Sequence, residues 1–112
     1  METLQTSDFE RLRGVAALAT PDHLRVGTQN AGDTFRVTTQ SGNTYLLEVV
    51  DPAAKTAHLV RCEARTGSTK PGYRGIREVD EEIRKGTFFI HKGAGQDISN
   101  TSRVIRIEQI QA

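Results

Sequence analysis

The densest collection of chemically capable side chains runs from residue 61 to residue 77. Five cations, Arg61, Arg65, Lys70, Arg74 and Arg77, stand there against Glu63 alone. Positive groups on a glycine-rich backbone, with hydroxyls and one stackable ring at Tyr73, are what a phosphate backbone or a single-strand groove requires. Arg61, Arg65, Lys70, Tyr73 and Arg74 are therefore the candidate ligand positions, the cations for phosphates and Tyr73 for stacking. A plainer account stands beside this one. Glu78, Asp80, Glu81 and Glu82 follow at once, and two adjoining blocks of opposite charge can simply neutralise each other on a solvated surface. A single tyrosine is also little aromatic content for a small nucleic-acid-binding barrel.

Other constellations carry less. Gly67-Ser68-Thr69-Lys70-Pro71-Gly72 has the glycine spacing that opens a phosphate loop, but Tyr73-Arg74 replaces the Lys and Ser/Thr that the chemistry needs. Gly93-Ala94-Gly95 follows a strand-like run, yet Ile98 stands where a dinucleotide fingerprint has its third glycine, so a hairpin turn explains it. His58 and Cys62, four apart on a strand, share a face, and with His91 from a neighbour they could hold zinc or pair as nucleophile and base. The plainer account makes them residents of a half-buried face. The carboxylates Asp33, Glu48 and Asp97 are isolated in the sequence, and those of 78 to 82 are crowded by Arg77, Arg84 and Lys85, which suits ion pairing rather than acid/base catalysis.

The elements that must position these groups are short. Phe9, Leu12, Ala16 and Ala19 recur at helical spacing behind the capping-box sequence Ser7-Asp8-Phe9-Glu10, which predicts an N-terminal helix over 1–20 ending before Pro21. Its Phe9 and Leu12 stripe must dock on its own domain or on a partner. Beyond Pro21 the period becomes two. Leu24-Arg25-Val26 predicts a short strand, and Phe35 and Val37 alternate with polar residues up to Ser41-Gly42-Asn43, where a hairpin should turn into Tyr45 to Val50. After Asp51-Pro52 a third strand should run from His58 to Arg65. Residues 66–75 read as a loop, Ile76 to Lys85 as a helical turn or loop, and Thr87–His91 and Ser102–Ile110 as further strands. Closure into a barrel would hide the strand edges.

Length and composition set the outer limits. A chain of 112 residues with 36% hydrophobic and 26% charged side chains is the size of one domain, 1–112, with 24–110 as its antiparallel β part. It leaves little room for a deep substrate pocket. Fifteen Lys and Arg balance fourteen Asp and Glu, so any electrostatic preference must be local. One cysteine excludes an internal disulfide framework and fits a reducing compartment, and neither a spanning helix nor a signal peptide is evident, so a cytoplasmic location is expected.

Gly67-Ser68-Thr69, Ile83-Arg84-Lys85-Gly86 and Thr101-Ser102-Arg103-Val104-Ile105-Arg106-Ile107 together resemble a pattern in a group of small, mainly β bacterial proteins of unknown function. That resemblance implies a fold and a bacterial origin, with no activity attached. The sequence reading is thus a mainly β domain, at the α+β boundary, formed as a small antiparallel five- to six-stranded barrel or curled sheet with one N-terminal helix. Functionally it is a non-catalytic binding module, monomeric or weakly dimeric, with no cofactor or metal. It contacts an anionic ligand or nucleic acid through 61–77; the alternative is a protein-interaction or structural domain that uses the helix face or a strand edge.

Overall fold

The expected hairpin of residues 34 to 50 forms and sits at the centre of a larger sheet. A computed structural model describes residues 15–62, 72–93, 95 and 97–111. Among them run nine strands: β1 (His23–Arg25), β2 (Thr34–Thr39), β3 (Thr44–Asp51), β4 (Thr56–Cys62), β5 (Gly72–Val79), β6 (Glu82–Arg84), β7 (Ile90–Lys92), β8 (Ile98–Asn100) and β9 (Val104–Gln111). β2 and β3 pair antiparallel across a turn in which Gly42 adopts φ 90°, a left-handed conformation that costs a side-chain-bearing residue strain. Seven strands form one antiparallel sheet in the order β8-β7-β5-β4-β3-β2-β9, and β1 pairs with β6 separately.

β8 and β9 lie at opposite ends of that order, yet they are consecutive parts of the segment 98–111. The sheet must therefore curl until its two ends approach each other. Residues 101–103 carry no strand, so no closed barrel forms. Single hydrogen bonds span the gap instead, from Thr101 N–H to the Phe89 carbonyl at 3.0 Å and from Val104 N–H to the Thr87 carbonyl at 2.8 Å.

The alternation of each strand sends one set of side chains into the curl. Phe35 and Val37 of β2, Tyr45, Leu47 and Val49 of β3, and Leu59 of β4 meet there. The β1–β6 pair closes one side of this core with Leu24 and Ile83, which face each other in register. On the outer face Leu46, Val60 and Ile110 form a smaller buried cluster against Val15.

Several expectations change. More short strands form than the five or six expected, because Ile76 to Lys85 is mostly strand (β5 and β6) rather than a helical turn. Its apparent helical period arises because Ile76 points out of the curl, 55% exposed, while Val79 and Ile83 point in. Residues 1–14 of the expected helix lie outside the described residues. Over 15–20 the chain is not helical: Ala19 bridges Gln109, and Leu18 donates its N–H to the Gln109 carbonyl at 2.7 Å, covering part of the outer edge of β9. Among the described residues no helix is long and apolar enough to cross a membrane.

Candidate nucleic-acid interface

β4 ends at Cys62 and β5 begins at Gly72, whose register partner is Arg61. Arg61 is half-buried. Tyr73 pairs in register with Val60, and the ladder slips between Leu59 and Val60, which leaves Arg74 as the extra residue of a bulge. Arg65 and Lys70 lie outside the described residues. The end of β4 is also level with groups distant in sequence. Cys62 pairs with Thr44, Thr44 with Thr38, and Thr38 with Arg106, one row across β4, β3, β2 and β9. Three strand spacings make that row about 14 Å long.

A second bulge shapes the far end of the row. Thr38 pairs with Arg106 and Thr39 with Val104, so Ile105 has no partner on β2. Strict alternation would put Arg103 and Arg106 on opposite faces; the extra residue restores Arg106 to the outer side. Val104 and Ile107 are buried, whereas Arg103, Ile105 and Arg106 are all exposed. Two depressions flank this strand. One, of about 240 Å³, is lined by Arg36, Thr38, Thr44, Arg106 and Glu108. The other, of about 450 Å³, is lined by Gln40, Gly86, Thr87, Phe88, Thr101, Ser102 and Arg103.

The smaller depression has two cations to one carboxylate. Arg36 donates from Nε and Nη2 to the two oxygens of Glu108, each at 2.9 Å, and Arg106 Nε lies 3.4 Å from Oε1. The Arg36 hydrogen bonds hold the Glu108 carboxyl below the usual carboxylate range, against burial, which acts the other way. Arg103 makes no ion pair among the described residues.

Arg77, the fifth cation of the 61–77 block, is not available to a ligand. It is 3% exposed and donates Nε–H to His91 Nδ1 at 3.1 Å while Nη1 bonds the Asp97 carboxylate. The imidazole packs against the rings of Tyr45 and Phe89, with centroids 6.0 and 6.1 Å away. The acidic block, in turn, pairs among the described residues with cations of β1, β6 and β7. Glu78 pairs with Lys92, and Glu82 with Arg25 and Arg84, while Asp80 accepts the Ile90 N–H at 2.8 Å.

The histidine and cysteine set does not assemble. On β5 the register partner of His58 is Ile76 and that of His91 is Val79, three residues on, which puts the two histidines on opposite faces. Among the described residues no three His, Cys, Asp or Glu side chains are grouped to hold a metal. Gly95, at φ 71°, sits in the turn between β7 and β8, as a hairpin requires. Phe9 and Leu12 lie outside the described residues. No protein-family model, curated protein or solved structure matches the chain.

Proposed function

We propose that the protein is a small non-catalytic module that binds single-stranded nucleic acid across the end of the sheet where β4, β3, β2 and β9 come level. The observation that supports this most is the row from Cys62 to Arg106. It sets the end of β4, from which the basic segment with Arg65, Lys70, Tyr73 and Arg74 continues, about 14 Å from the exposed Arg106 of β9. That distance is about two to three nucleotides of extended strand, so phosphates of one strand can reach cations at both ends. Hydroxyls of Thr38 and Thr44 lie between them on the row.

Fluorescence anisotropy with a labelled thymidine dodecamer and its uridine counterpart tests the proposal. Neutralisation of three or four phosphates gives a salt slope of about −2 to −3, hence a loss of about 20- to 50-fold in affinity between 50 and 200 mM salt. The pair Arg103→Ala and Arg106→Ala should lower that slope by about 1.4, and Arg65→Ala with Arg74→Ala by a similar amount. Absence of binding at low salt, or binding indifferent to salt, refutes it.

A further inference from the structure

We infer that the larger depression beside β9 is a nucleotide subsite, in which one unpaired base stacks on Phe88 and an adjacent phosphate meets Arg103. The inference rests on the single-strand reading above and adds the place where a base is held.

Phe88 is 52% exposed, and the backbone around it fixes that exposure. On one side the Thr87 carbonyl accepts the Val104 N–H at 2.8 Å. On the other, Phe89 N–H donates to Thr101 Oγ1 at 3.1 Å and its carbonyl accepts from Thr101 N–H at 3.0 Å. Phe89 is fully buried in the core, whereas Phe88 beside it faces solvent. The ring is thus presented by a clamped backbone and not by a free loop, which limits the conformational cost of stacking.

The surroundings suit a nucleotide. A volume of about 450 Å³ falls in the usual range for small-ligand sites. Arg103 supplies a positive charge that no described acid neutralises. The hydroxyls of Thr101 and Ser102 are already engaged, with the Ser102 carbonyl and with Ser41 Oγ, each at 2.8 Å. Gln40 and Thr87 are exposed, and their amide and hydroxyl can face a base edge. A π-face, a cation and a few polar groups of either hydrogen-bonding sense accept any base, with preference for none.

The test compares two probes with equal phosphate number, a thymidine dodecamer and a dodecamer of abasic residues, on the wild type and on Phe88→Ala, Phe88→Tyr and Arg103→Ala. Stacking predicts that wild type binds the thymidine strand more tightly than the abasic one. Phe88→Ala should lose about 5- to 100-fold on thymidine and nothing on the abasic strand, Phe88→Tyr should match wild type, and Arg103→Ala should weaken both probes. Equal effects of Phe88→Ala on the two probes, or no effect on either, overturn the subsite and leave the wider reading standing. If wild type binds neither strand, both fail.

Discussion

Glu108 connects stability to binding with opposite signs, so replacing it is a demanding test. Its side chain is 11% exposed and that of Arg36 is 12% exposed, with two hydrogen bonds of 2.9 Å between them. Fully exposed pairs contribute about 0–1 kcal/mol, and loss of one partner of a fully buried pair costs about 3–5 kcal/mol. Glu108→Gln lies between these limits, because the amide oxygen still accepts one guanidinium hydrogen bond; a loss of about 2–3 kcal/mol is expected. At about 4 °C per kcal/mol for a chain of this size, the melting temperature should fall by about 8–12 °C at neutral pH. The carboxyl ionises below its usual range in the folded state. Its contribution is therefore fully present above the unfolded-state value and is lost as pH falls through the lower folded-state value. Urea melts of wild type and variant between pH 7 and pH 3 should show a gap that is constant down to about pH 5 and closes below about pH 4. Oligonucleotide affinity should move the other way. With one negative charge removed from beside Arg36 and Arg106, binding at low salt should strengthen by about two- to fivefold. A stability gap indifferent to pH, or an affinity that falls with stability, would refute the account.

Four further substitutions probe the packing behind the site. Asp97→Ala should cost about 2–4 kcal/mol in urea unfolding, more than the roughly 1–2 kcal/mol of Arg77→Met, because Arg77 is 3% exposed and Asp97 54%. The first leaves a buried cation without its counter-ion, whereas the second leaves a carboxylate that water reaches and one His91 nitrogen without its donor; the reverse order would reject that reasoning. A Cβ at Gly93 would stand 2.6 Å from Arg77 Nη1 and 3.1 Å from Asp97 Oδ2. Gly93→Ala should destabilise by about 1–3 kcal/mol, and by clearly less in the Arg77→Met background. Ile83, fully buried between the small sheet and the core, should cost about 2–5 kcal/mol as Ile83→Ala, with no change in oligonucleotide affinity for the folded protein.

Local alternation was enough to locate β2, β3 and β4, because each presents a regular apolar set to one core and their connections are short. Where an apolar residue faces outward, the pattern misleads. Ile76 points out of the curl while Val79 and Ile83 point in, so the three mimic a helical face although they belong to two strands. Ala16 and Ala19 likewise fit a helical stripe, but the Ala19 backbone pairs with Gln109, a contact across 90 residues that no local window contains. Closure of the curl through one segment, 98–111, is also a property of pairing partners and not of period.

The site was legible to the extent that its chemistry is contiguous in sequence. The basic run from Arg61 to Arg74 shows in any charge count. Arg77 shows there too, yet its role is the opposite of a surface cation, since its partners His91 and Asp97 lie 14 and 20 residues on. Arg103 and Arg106 fail for a subtler reason. Three residues apart on a strand, they are assigned to opposite faces by alternation, and only the unpaired Ile105 brings them to one. A bulge is set by the partner strand, so its signal is the register with β2 and not any residue of β9. Charge segregation along the chain therefore reports neither which charges meet nor which remain open. Of the basic block, Arg77 is neutralised from inside the fold; the acids beside it are matched by Arg25, Arg84 and Lys92. Arg106, exposed on β9, comes level with the end of β4 only through the four-strand register, a relation that no charge count along the chain contains.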